Sequence, residues 1–203
     1  MKTIKGVFVV SKSDPAATKR ERNKTIRWVV TIFFVTMFIS GTITLISDEL
    51  MARSSMAIAF LILFLIVLIG IVFDIIGVAV TSADEKPFHS MASRKVPGAM
   101  ESLRLLRNAE RVSSICNDVV GDICGVVSGS ASATIAAQIL QSFEFSWPQI
   151  VSLLMSALVA GLTVAGKAIG KTFAIGSCTA IVTLVGRTIY RLRHLLDFLK
   201  KKK

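Results

Sequence analysis

Four ionisable side chains fall within or beside long uncharged runs: Asp74, Asp118, Asp122 and Lys167. A charge at the centre of a transmembrane helix costs roughly 2.5–3.5 kcal/mol on insertion scales, so each requires a partner or a purpose. Asp118 and Asp122 are four apart and share one face of a helix. Asn117 and Gly121 form the adjacent stripe, where an amide oxygen and an unshielded backbone carbonyl are offered to a cation. With hydroxyls from Ser82, Ser113 or Ser114, these are hard oxygen ligands, suited to Mg²⁺ or Ca²⁺ and poorly matched to soft metals. The candidate cation ligands are therefore Asp74, Asn117, Asp118, Gly121 and Asp122. The same residues admit a second reading, in which Lys167 pairs with one aspartate while the others reach headgroups or water.

Other chemistry finds little support. Cys116, Cys124 and Cys178 lie in apolar or small-residue stretches without a C-x-x-C spacing, so they read as packed small hydrophobes rather than a disulfide frame or a zinc site. His89 and His194 are far apart in the chain. No Ser/His/Asp arrangement, phosphate-cradling glycine loop or H-E-x-x-H motif occurs, which argues against an enzyme.

The elements that must position these residues are membrane helices. Of 203 residues, 53% are hydrophobic and 18% charged, at a mean hydropathy of +0.67, which excludes an ordinary soluble domain and a disordered chain. The formal net charge of +11 would fit nucleic acid in a soluble protein, but here Lys and Arg flank the apolar segments, so no nucleic-acid partner is expected. The fold class expected is an all-α membrane protein with about four transmembrane helices and short amphipathic helices on the cytoplasmic side.

A basic segment, 1–27, precedes an uncharged run over 28–47 that is too long for a secretory signal core and reads as an uncleaved helix. A link holding Asp48, Glu49 and Arg53 leads to a second span, which starts at Ser54 and continues past Asp74 to about Val80. Between Asp84 and Arg111, Pro87 and Pro97 divide the chain into short pieces, and Met100, Leu103 and Leu106 recur at helical spacing, as in an interfacial amphipathic helix. A third span, about Val112 to Leu140, is rich in Gly, Ser and Ala. Gly121, Gly125 and Gly129 form a flat stripe for close packing, within the chain or between two copies. A fourth span runs from about Pro148 to Gly166.

The uncharged stretch Thr172–Gly186 is short for a crossing and reads as a re-entrant or interfacial segment. It leads into an amphipathic helix with Ile181, Val185, Ile189, Leu192, Leu196 and Leu199 on one face and Arg187, Arg191 and His194 opposite. Four spans put both termini and the 84–111 region on the cytoplasmic side of a plasma or inner membrane, with every Lys and Arg except Arg53 inside.

This order of features resembles the membrane module of the CorC/CNNM family of magnesium transporters. FDIIGVAVTSADEKPF is similar to that family's F-S-x-S-E-x-A-x-x-S segment at a helix end. RLLRNAERVSSICNDVVGDI resembles its L-L-x-N-P-E-R segment and the G-N-x-x-x-N helix that follows, and GKAIGKTFA resembles G-E-I-I-P-K-T-L-A. The resemblance covers about residues 56–198, leaves 28–47 as an extra helix and 199–203 as a basic tail, and includes no nucleotide-binding regulatory domain. It implies a homodimer of three spanning helices per chain, with a belt of short helices, that moves Mg²⁺. The departures are specific: Gly121 stands at the second Asn of the third-helix motif, Gly77 at the Glu of the first segment, and Lys167 at the Glu of the last. An ammonium in that position repels Mg²⁺. A tethered cation, paired with Asp118 or Asp122, would give a non-transporting relative that acts as an interaction or regulatory protein.

Overall fold

The computed structural model describes residues 15–142 and 147–201; the start of the basic segment 1–27 and the end of the tail 199–203 lie outside them. The described residues are helical, without a strand. The chain forms two compact units, Met1–Phe38 and Ile39–Lys203. Helix α1 (Pro15–Ala52) contributes to both. In the first unit Trp28, Val29, Phe33, Phe34 and Phe38 are exposed, as lipid-facing side chains are, and Phe33 and Phe34 meet edge to face with centroids 5.4 Å apart.

The second unit is built on α2 (Met56–Ser82), α6 (Asp122–Ser142) and α7 (Pro148–Gly176), which pack on one another. Between α2 and α6 lie α3 (Lys86–Ser93), α4 (Ala99–Arg107), α5 (Ala109–Ser114) and a π-helical segment, Ile115–Gly121. Helix α8 (Cys178–Lys201) follows α7 directly. Four stretches are long and apolar enough to cross a membrane: Ile26–Met51, Met56–Ser82, Ala109–Ser142 and Pro148–Gly176. This is an all-α membrane protein.

Close approaches at glycine fix how the spans pair. Ile71 lies against Gly166 and Ile75 against Gly170, both ascending, so α2 and α7 run parallel. Gly70 faces Cys124 and Gly77 faces Asn117, one ascending and one descending, so the third span runs antiparallel to α2. Twenty-seven residues rise about 40 Å, against about 30 Å of hydrocarbon. The last turns of α2 therefore project beyond the core, where Ala79 and Val80 pack with Phe88, Leu103, Leu106, Ala174 and Val182. The opposite end of the bundle is closed by Met51, Ala59, Leu63, Ala131, Ile135 and Val159.

Three expectations are corrected. The link 48–53 is helical through Ala52, because Asp48 has a partner: Ser130 donates to its carboxylate at 2.9 Å and Thr134 at 3.4 Å, while Gln138 Nε2 donates to the Met51 carbonyl at 2.8 Å. The fourth span does not end at Gly166 but continues as one helix to Gly176, since Gly166 and Gly170 seat it on α2. Thr172–Gly186, expected as a re-entrant or interfacial segment, is the end of α7, a break at Ser177 and the start of α8. The amphipathic helix expected there is present, with Val182 and Gly186 buried and Ile181 and Val185 half-buried. Leu192 is exposed instead, and the side chains of Leu196 and Leu199 lie outside those described.

The Asp48 contacts give a first prediction. Asp48→Ala removes a charged acceptor from two hydroxyls and should cost about 1–2 kcal/mol, read as a lower thermal midpoint of the protein in detergent micelles. An unchanged midpoint would mean that the helix backbone alone satisfies Ser130 and Thr134.

Candidate functional site

Asp74 lies eighteen residues into α2 and Lys167 nineteen into α7, so two parallel helices starting at the same membrane face carry them to the same depth, about 27–29 Å along. Lys167 Nζ is 4.0 Å from Asp74 Oδ1, with side chains 26% and 7% exposed. The third span supplies the opposite wall. One turn beyond Asp74, the missing side chain of Gly77 makes room for Asn117: a Cβ there would lie 2.8 Å from Asn117 Cγ and overlap its amide oxygen. One helical turn on, Gly121 is open toward the ammonium, with Lys167 Nζ 3.4 Å from where its Cβ would stand.

The wall is π-helical at this point. Cys116 and Gly121, five residues apart, are both buried, as the longer turn allows. Such turns insert a residue into a helix and recur at functional sites. Asn117 lies in this segment, and its Nδ2 donates to Oγ of Ser113 in α5 at 3.1 Å.

Two described oxygens beside the ion pair remain without a donor. Asp74 Oδ2 and Asn117 Oδ1 are buried and accept no hydrogen bond from any described residue. Leaving a buried acceptor unmatched costs roughly 1–3 kcal/mol, more when it is charged, so such atoms mark a place where a cation or water belongs. A carboxylate and an ammonium thus meet between α2 and α7, and an amide lies one turn along α2 at Gly77.

Comparison with family models, curated proteins and solved structures gives no match. The site must be read from its own geometry.

Of the five sequence-derived candidates, Asp74 and Gly121 both adjoin Lys167, and Asn117 lies against Gly77, one turn along α2 from Asp74. Asp118 and Asp122 are exposed, on the adjacent face, and Ser114 donates to Asp118 Oδ2 at 2.8 Å. The ion-pair partner of Lys167 is therefore Asp74, not Asp118 or Asp122. Among the described residues no three His, Cys, Asp or Glu side chains converge as a metal cluster. Both histidines sit in local pairs, His89 with Glu85 at 3.4 Å and His194 with Tyr190 at 2.9 Å. The cysteines are free thiols, Cys116 buried and the others half-buried.

Gly125 and Gly129 do not pack within the chain. Nothing lies within 4 Å of a Cβ built on either, and they line an open groove of about 250 Å³ with Ser128, Ser132, Ser156 and Thr163. Two features escaped sequence reasoning: the polar contacts of Asp48, and the docking of α8, described below. An ionisable residue at a helix end with hydroxyls at i and i+4 on another span was the available signal for the first.

Proposed function

We propose that this membrane protein serves divalent-cation transport or homeostasis, with Mg²⁺ as the cargo, and is a relative of the CorC/CNNM membrane module. The carrying observation is the pair of buried, donor-free oxygens, Asp74 Oδ2 and Asn117 Oδ1, at a π-helical turn between crossing helices. Carboxylate and amide oxygens are the ligands a hard cation takes, and waters complete its shell. The distribution of Lys and Arg supports an orientation with both termini on the cytoplasmic side. Pairing of two copies is supported by the open faces of Gly125 and Gly129, where another backbone can approach.

A second reading is favoured by the position of Lys167. Its ammonium stands 4.0 Å from the one carboxylate of the site, where it neutralises the charge that would attract a divalent ion. In that reading the protein keeps the architecture, does not transport, and acts as a membrane interaction or regulatory protein.

Magnesium flux into proteoliposomes, followed with an internal Mg²⁺-sensitive dye, separates the two. If the protein transports, wild type gives flux and Asp74→Asn reduces it at least tenfold, whereas Asp118→Asn, on the exposed face, changes it little. If Lys167 fills the site, wild type is silent and Lys167→Glu gains Mg²⁺ binding, read as a Mg²⁺-dependent rise in thermal midpoint. Silence of wild type together with no Mg²⁺ response in Lys167→Glu defeats both.

A further inference from the structure

Outside that site, a charged concavity lies along α8. Met91 of α3 forms one wall, and Thr179, Thr183, Leu184, Arg187, Thr188 and Arg191 form the rest of a groove of about 680 Å³. Arg187 and Arg191 are one turn apart and exposed, and among the described residues no carboxylate is paired with either. Two guanidiniums on one helical stripe demand an anion with several acceptor oxygens, and Arg presents a fork matched to phosphate.

The surroundings decide which phosphate. Leu184 is 66% exposed within the groove, and Leu192 and Leu195 are more than half exposed further along the helix. A free anion gains nothing from leucines; a lipid places its chains against them and its phosphate under the arginines. Helix α8 follows a membrane-crossing helix after a single break at Ser177 and is itself amphipathic, the character of a helix in the headgroup layer. Thr183 and Thr188 line the groove, and their hydroxyls donate to the backbone carbonyls of Thr179 and Leu184, at 2.7 and 3.0 Å, which leaves their oxygens to act as acceptors. Acceptors beside a phosphate site suit a headgroup that itself carries hydroxyls.

We infer that the α3/α8 groove binds an anionic phospholipid with a hydroxylated headgroup, of the phosphatidylglycerol kind, with its phosphate on Arg187 and Arg191. The lipid would anchor α8 at the membrane surface, independently of whether the internal site carries Mg²⁺.

The test uses the whole protein in detergent micelles, titrated with phosphatidylglycerol, phosphatidylcholine or inorganic phosphate while retained lipid is counted by native mass spectrometry. Phosphatidylglycerol should bind in preference to phosphatidylcholine. The double variant R187Q/R191Q should weaken it about thirtyfold, the factor that two basic residues near an anionic surface supply. The charge-matched control R94Q/K95Q, which does not line the groove, should weaken it far less. If the double variant does not yield folded protein, R191Q alone carries the test at about fivefold. Equal losses in the two double variants would show diffuse attraction and overturn the site. So would indifference between the two lipids, or displacement by inorganic phosphate at comparable concentration, which would make the ligand a free anion.

Discussion

Asp74→Asn should destabilise the protein by about 2–3 kcal/mol, and Lys167→Met in the same chain should recover most of that loss. Removing one member of a buried ion pair strands the other charge, at a cost of roughly 3–5 kcal/mol in a closed interior. The Lys167 side chain is 26% exposed, so part of its charge is reached by solvent or headgroups, and the lower figure applies. A Met of similar length fills the space of the lysine stem against Gly121 without a charge to satisfy. Reversible unfolding in detergent, run on the wild type, both single variants and the double, gives the coupling directly. Additive losses would show that the 4.0 Å approach carries no energy, and with it the reading of Lys167 as the charge that fills the site. The double variant also bears on cargo: with neither charge present, any Mg²⁺ response of the wild type should vanish while the fold survives.

The second large effect is expected far from that site, where α8 docks on α4. Gly98 opens α4 with φ +86°, a left-handed conformation that glycine adopts without steric cost. Its backbone passes so near α8 that a Cβ there would stand 2.6 Å from the Arg187 amide nitrogen. On the other side, a Cβ at Gly186 would stand 2.7 Å from the Gly98 carbonyl oxygen and overlap Ser102 Oγ. Ser102 is buried and donates within this contact, to the Gly98 and Val182 carbonyls, at 3.1 Å each. Gly186→Val would therefore push two backbones apart and take the Val182 carbonyl from that hydroxyl, which keeps the Gly98 carbonyl one turn back, because a carbonyl cannot swing aside as a side-chain tip can. Overpacking between two backbones sets the cost, about 1–3 kcal/mol. The loss should be local, since the spans pack on one another through other glycines. Trypsin should then cleave at Arg187, Arg191 and Arg193 at least tenfold faster while helicity of the spans is kept. A protease-resistant Gly186→Val protein would mean that α8 is held by the membrane and not by α4.

The sequence by itself determined the fold class, the number of spans and the character of the belt. Runs of twenty or more apolar residues must be helical in lipid, since every backbone polar group has to be satisfied within its own segment. Pro87 and Pro97 cut the connecting region where α3 and α4 now begin, and the spacing of Leu103 and Leu106 marked the buried face of α4. Asp74 and Asn117 were likewise legible as intramembrane polar residues, because such residues are costly without a partner.

Only the tertiary structure decided which partner each one has. Periodicity places Asp118 and Asp122 on one face and Asn117 and Gly121 on the next, but it does not say which face turns inward. That was settled by the space at Gly77, which admits the Asn117 amide, and by a π-helical turn that no α-helical wheel contains. In the same way, the parallel register of α2 and α7 chose Asp74 for Lys167. Depth in a membrane follows from counting residues along one helix. Direction of approach depends on where two different helices can come close, and that is fixed by side-chain volumes on both.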